Sequence, residues 1–141
     1  MRKEYLVGST GFVGSHLAIA HKFTGLFHSS NIKNAYGEKP DLLIYAGVPA
    51  EMFLADKFPE RDKAIVCEAL KNIEQIAPRQ LVLISTVAVY PYPKNVDEDT
   101  EIDPDGLSAY GANRYALVQW VRERFPDTLI IRLPALFGRG L

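Results

Sequence analysis

Tyr110 and Arg114 stand four residues apart in a stretch with helical patterning, so they share one helix face. A tyrosine, with an ordinary pKa near about 10, works as an acid or base close to neutrality only where a nearby cation favours its phenolate. Arg114 could supply that cation. Ser85 and Thr86 follow the apolar run at 80–84, and the Thr86 hydroxyl could hold a substrate oxygen while Tyr110 exchanges its proton. On spacing alone, such a pair more commonly means a residue at a helix entrance beside a solvated charge, so its setting decides what it does.

A second group of residues supplies a setting. The run Gly8-Ser9-Thr10-Gly11-Phe12-Val13-Gly14 lies between an extended-looking segment, 4–7, and a segment that can wind into a helix, 12–23. Strand, glycine turn and helix in that order form a cradle for a pyrophosphate. Gly8 permits the turn, Gly11 leaves room for a phosphate, and Gly14 lets the helix pack close to the strand. The free N–H groups of the first helical turn, at the positive end of the helix dipole, face the anion. The spacing is GxxGxxG rather than GxGxxG, and taken alone such a run also occurs as a flexible surface loop.

These residues need a sheet to bring them together. Apolar runs at 41–46, 80–84 and 128–133 read as strands, the first two as strands buried on both faces, and Leu26-Phe27-His28 as a shorter one. Segments 60–76 and 109–125 carry apolar residues at three- and four-residue steps, the first through Ala64, Cys67, Ala69, Leu70, Ile73 and Ile76, the second through Ala112, Tyr115, Ala116, Val118, Gln119 and Val121. Pro78 and Pro126 close them. Strands alternating with helices call for a doubly wound parallel α/β sheet, and ligands bind such sheets outside the carboxyl ends of the strands. The glycine turn, Ala46-Gly47-Val48 and Ser85-Thr86 all fall at those ends. The segment 29–40 is too short for a further helix and strand, so the sheet is shortened there. The connection 90–108, rich in proline and carboxylates, reads as a solvated loop that could cover the site.

With 141 residues, one domain spanning 1–141 is the expectation, and 48% hydrophobic against 23% charged residues suits a globular core. A net charge of −1 gives no electrostatic reason to expect nucleic acid or a membrane surface as partner. No apolar run is long enough to span a bilayer, and the first residues do not read as a signal peptide. Cys67, the single cysteine, reads as a small core residue of a cytoplasmic protein, and Trp120 and Phe125 as core-facing. His16 and His21 have no partners at metal-ligand spacing, so no metal site is expected.

Five stretches in order, GSTGFVG after the first strand, ISTVAVY after a middle strand, the acidic VDEDT, YGANR at a helix start and RLPALFG near the end, resemble the extended short-chain dehydrogenases/reductases, the family of sugar-nucleotide epimerases, dehydratases and reductases. The resemblance implies a Rossmann-like domain and NAD or NADP as cofactor. Gly8, Thr10, Gly11, Phe12, Val13 and Gly14 would hold its pyrophosphate, Ala46, Gly47 and Val48 would line it, and Leu133, Pro134 and Ala135 would lie against the nicotinamide. Thr86 would orient the substrate and Tyr110 would be the general acid/base of a hydride transfer. Arg114 would stand where the family has the lysine that contacts the nicotinamide ribose. A nucleotide sugar or related hydroxyl or carbonyl compound would be the substrate, and two copies would pair through the long helices at 60–76 and 109–125.

Four features qualify what the resemblance implies. Arg114 keeps the lysine's charge but cannot lose a proton, which leaves open a non-catalytic NAD(P)-binding or regulatory module. No acidic residue follows the second strand to take a ribose 2′-OH; His28, Ser29, Ser30 and Asn31 stand there with Lys33 beyond, which favours NADP, although Ser29-Ser30-Asn31 also reads as a plain turn. Val87 follows Thr86 where the family's dehydratases carry an acidic residue. Finally, family members continue into a C-terminal substrate lobe, which this chain is expected to lack.

Overall fold

The computed structural model describes residues 2–49, 52–90 and 95–134. Five strands, β1 (Glu4–Val7), β2 (Gly25–Phe27), β3 (Leu42–Tyr45), β4 (Leu81–Thr86) and β5 (Leu129–Leu133), form one sheet in the order β2-β1-β3-β4-β5, with every neighbouring pair parallel. Among the described residues, four α-helices connect them: α1 (Phe12–Ala20), α2 (Met52–Lys57), α3 (Pro59–Ile76) and α4 (Ala109–Arg124). The strand order reverses between β1 and β3. Because crossovers between parallel strands are right-handed, the reversal puts α1 on the face opposite α3 and α4 and opens a crevice at the carboxyl ends of β1 and β3. This is a Rossmann-like sheet.

The two faces are covered unequally. Leu43, Tyr45, Leu81 and Leu83 are buried under α3 and α4, with Ile73, Ile76, Leu117, Val118 and Val121 packed over them. On the other face, α1 is nine residues long and buries only Gly14, while its Ile19 is 87% exposed. The chain between β2 and β3 holds a single 3₁₀ turn, Ile32–Ala35, so the second side of the sheet is shortened as the sequence predicts.

Several boundaries differ from expectation. α1 stops at Ala20, because the chain must turn back for Thr24 N–H to reach Glu4 O (2.8 Å) and start β2 at Gly25, one residue early. β4 runs on through Ser85 and Thr86, since β5 pairs with both: Ser85 opposite Arg132, Thr86 opposite Leu133. The helix α2 has no counterpart in the sequence reading. Cys67 is exposed, not a core residue. The buried stripe of α3 is Asp62, Val66, Ala69, Asn72, Ile73 and Ile76, which turns Ala64 and Cys67 outward. On α4 the buried set is Tyr110, Gly111, Arg114, Leu117, Val118 and Val121, leaving Ala116 and Gln119 outside. Trp120 and Phe125 are partly buried against the core.

Among the described residues, no helix is long and apolar enough to cross a membrane, and no cluster of His, Cys, Asp or Glu could hold a metal ion.

Candidate functional site

The glycine turn is built by close contact. Gly8 has φ +94°, a left-handed conformation that other residues seldom adopt, and a Cβ on it would overlap the Ala46 carbonyl group at the end of β3. Its N–H and that of Ser9 both donate to Phe27 O, at 2.8 and 3.2 Å, so the ends of β1, β2 and β3 are tied together at this point. A Cβ on Gly14 would overlap the Gly8 carbonyl oxygen; only glycine lets α1 start this close to β1. Gly11 differs, since a Cβ there would have only Gly8 O nearby, at an ordinary 3.5 Å. The fold itself does not demand glycine at that position. The first ladder bond of α1 is Ser15 N–H to Gly11 O (2.8 Å), so the N–H groups of Phe12 and Val13, which line the cleft, precede the ladder and are available to an anion.

This turn forms one end of a cleft of about 950 Å³ that runs along the carboxyl ends of the strands. Gly8, Thr10, Gly11, Phe12, Val13, Ser29, Ala46, Gly47, Val48, Thr86, Tyr110, Arg114, Leu133 and Pro134 all line it. Gly14 lies behind the lining, pressed on the turn, and Ser30 is exposed outside it. Ala135 lies outside the described residues.

Thr86 and Tyr110 reach the same wall because α4 presses on the 3₁₀ turn Val87–Val89: a Cβ on Gly111 would overlap the Ala88 carbonyl oxygen. The Thr86 hydroxyl oxygen accepts from Ala88 N–H (3.1 Å), which caps that turn and leaves the hydroxyl proton free to donate. At the start of α4, Ser108 Oγ accepts from Gly111 N–H (3.4 Å) and Asp56 Oδ1 from Tyr110 N–H (3.1 Å). Arg114 is not a solvated charge. It is 3% exposed, and its guanidinium carbon stands 3.8 Å from the centre of the Tyr110 ring. Asp62 on α3 meets it in a two-pronged ion pair, Nη1 to Oδ2 at 2.7 Å and Nη2 to Oδ1 at 3.0 Å. Burial pushes the Asp62 carboxyl up, but hydrogen bonds from Arg114 and Asn113 and the arginine charge outweigh it and hold it below the usual carboxylate range.

Of the other residues that line the cleft, His28 and Ser85 figure in the sequence reading of the site, whereas Tyr45, Glu68, Asn72 and Ile32 do not. Tyr45, Glu68, Asn72, His28 and Ile32 line its β2 end, and Ser85 lines its floor with a buried Oγ that has no partner among the described residues. Tyr36 OH donates to Asn72 Oδ1 (2.5 Å), and Asn72 Nδ2 donates to Tyr45 OH (3.1 Å). Burial pushes the Tyr45 hydroxyl up to about 12. The signal for Asn72 was a polar residue on an otherwise apolar helix stripe. The acidic loop is solvated, with Asp97, Glu98 and Asp99 exposed or partly exposed, but it is pinned to the sheet: Arg132 Nη1 donates to Tyr90 OH (2.6 Å), which donates in turn to Asp97 O.

The sheet order and the glycine turn define a Rossmann-like fold with a cleft at its strand ends. Solved structures narrow it further. The chain is similar to dTDP-4-dehydrorhamnose reductase from Bacillus anthracis in complex with NADP, with a TM-score of 0.80 and 20% identity over 100% of this chain and 56% of that one. It is similar to dTDP-4-dehydrorhamnose reductase from Yersinia enterocolitica (0.78, 18%, covering 99% and 55%) and to the UDP-Glc/GlcNAc 4-epimerase from Campylobacter jejuni (0.70, 17%, covering 94% and 53%). The fold is thus shared with these reductases and this epimerase, and the chain spans about half the length of these proteins. No family model matches the sequence, and no curated protein does.

Proposed function

We propose that this chain binds NAD(P) and serves as the cofactor-binding part of an oxidoreductase or epimerase that acts on a hydroxyl or carbonyl group of a nucleotide sugar or related compound. One observation carries the reading: the glycine turn, Thr86 and Tyr110 line a single cleft at the strand ends. The residues present fit a dinucleotide. Gly11 is bare where the fold tolerates a side chain, and the N–H groups of Phe12 and Val13 stand beside it for a pyrophosphate.

When bound, the nicotinamide supplies hydride transfer. The chain supplies the rest. Leu133 and Pro134 give an apolar wall, Thr86 orients the substrate oxygen through its free hydroxyl proton, and Tyr110 moves the proton on that oxygen. Ser29, with Lys33 in the following 3₁₀ turn, favours NADP over NAD, in keeping with the NADP complex of the Bacillus reductase. The substrate class is taken from those neighbours. A pairing of two copies through the outward faces of α3 and α4 belongs to the same reading, and a monomeric mass by sedimentation would refute it.

A second reading, a non-catalytic NAD(P)-binding module, is favoured by the Asp62–Arg114 ion pair, which occupies the cation beside Tyr110. Titration with NADPH and NADH, followed by nicotinamide fluorescence, tests the binding that both readings share. Saturable binding of NADPH in preference to NADH, lost in Gly11→Asp, is expected; binding of neither would overturn both. Hydride transfer from bound NADPH to a carbonyl substrate, lost in Tyr110→Phe while binding persists, would separate the first reading from the second.

A further inference from the structure

An arginine has five N–H donors. In Arg114 the four on the Nη atoms are all taken within the protein: Nη1 donates to Asp62 Oδ2 (2.7 Å) and Tyr110 O (3.2 Å), and Nη2 to Asp62 Oδ1 (3.0 Å) and Pro49 O (2.7 Å). The fifth, on Nε, is sealed from solvent and has no acceptor among the described residues. Asp62 is held as fully as its partner. It is 6% exposed, and Oδ2 also accepts from Asn113 Nδ2 (2.7 Å). Arg114 lines the cleft, yet its four Nη donors are spent within the protein and its Nε is sealed from solvent.

We propose that Asp62 is a positioning residue of the cleft, which withholds the Arg114 cation from the bound dinucleotide and lays it flat against the ring of Tyr110. The inference rests on the dinucleotide reading above. Asp62 and Arg114 then act as one unit: the carboxylate fixes the plane of the guanidinium, the guanidinium backs the phenol ring, and α3, α4 and Pro49 are clamped around the pair. A lysine at 114 would not be released into the cleft while Asp62 stands opposite to capture its ammonium. Freeing a cation for the occupant therefore takes two changes, not one.

The test compares NADPH affinity, by nicotinamide fluorescence, with thermal melting for Arg114→Lys, Asp62→Asn, the double variant Asp62→Asn/Arg114→Lys, and the uncharged pair Asp62→Leu/Arg114→Met. Arg114→Lys alone should bind NADPH within about twofold of the wild type. The Asn/Lys double variant should bind about tenfold more tightly, the effect of one new charge-assisted hydrogen bond. Each single variant should melt below the wild type, and the Leu/Met pair should melt close to it with unchanged NADPH affinity, since no buried charge is left unpaired. A tenfold gain from Arg114→Lys alone, an Asn/Lys variant that binds no better than Arg114→Lys, or a folded Leu/Met pair that has lost NADPH would each overturn the proposal. If the wild type binds no dinucleotide, the functional reading falls, and the melts still decide whether the two residues form one unit.

Discussion

Gly11 and Gly14 belong to one motif, three residues apart, yet alanine should injure them in different ways. A Cβ on Gly14 would overlap Gly8 O, stand 2.5 Å from the Gly8 carbonyl carbon and 3.1 Å from Ser9 N, all backbone atoms held by β1. They have no rotamer in which to retreat, so the clash should cost about 3 kcal/mol or more, the upper range of overpacking. For a chain of this size that lowers Tm by roughly 10 °C. On Gly11 the same methyl meets only Gly8 O at 3.5 Å. Its cost is that of a poorer helix N-cap, about 0.5–1 kcal/mol, or roughly 2–4 °C. The methyl does project where a pyrophosphate must sit, so NADPH affinity should fall at least about tenfold, or about 1.4 kcal/mol. The assay is thermal melting by circular dichroism with and without NADPH, alongside fluorescence titration. At about a hundredfold excess over Kd, the ligand should stabilise the wild type by about 2.7 kcal/mol and raise its Tm by several degrees. Gly11→Ala should melt near the wild type without ligand and gain at most about half as much stability from it; Gly14→Ala should melt low in both cases. A Gly14→Ala chain that melts within about 2 °C of the wild type, or a Gly11→Ala chain with wild-type affinity, would refute the steric reasoning.

The Asp62 carboxyl is held below its unfolded pKa, so the stability it confers is present above pH about 4 and is lost as pH falls through its folded value; the gap in Tm between wild type and Asp62→Asn should shrink from pH 7 to pH 3. The Tyr45 hydroxyl is raised to about 12, so the folded chain keeps a proton that the unfolded chain loses, and stability should fall as pH rises above about 10. Melting between pH 9 and pH 11.5 should therefore be less steep in Tyr45→Phe, which at neutral pH should cost about 1–3 kcal/mol by leaving an Asn72 N–H unpaired. Gly111→Ala should lower stability by about 1–3 kcal/mol and weaken any turnover more than binding, because its Cβ pushes α4 off Ala88 and separates Tyr110 from Thr86; unchanged melting would count against that contact.

Much of this was legible in the sequence because short apolar runs and punctuating residues are local signals. The strands at 41–46 and 80–84 were visible as continuous apolar runs, and the glycine turn by its flanks. The faces of α3 and α4 were harder to read. Asp62, Asn72 and Arg114 lie on buried stripes, so the polar residues that matter most diluted the apolar period and shifted the apparent face onto Cys67 and Ala116. Helix α2 went unseen because Met52, Phe53 and Leu54 are exposed apolar residues with no buried period between them. The ion pair was beyond reach of any spacing rule: Asp62 and Arg114 are 52 residues apart, and only the packing of α3 on α4 brings them together.

The position of β1 between β2 and β3 has a consequence for how the chain comes together in time. Tyr5 lies opposite Gly25 on one side and Leu43 on the other, and Ala46 N–H closes on Val7 O (2.8 Å). The first strand, turn and helix are contiguous in the chain and can form locally. The turn is braced only when the third strand arrives, and the far wall of the cleft, Leu133 and Pro134, waits for the fifth. Each of these closures joins distant parts of the chain, and such closures are slow relative to helix formation. The glycine turn thus precedes four of the five strands in chain order and is among the last parts completed. A ligand added during refolding should leave the early phases untouched and act by retarding the escape of chains that have already finished.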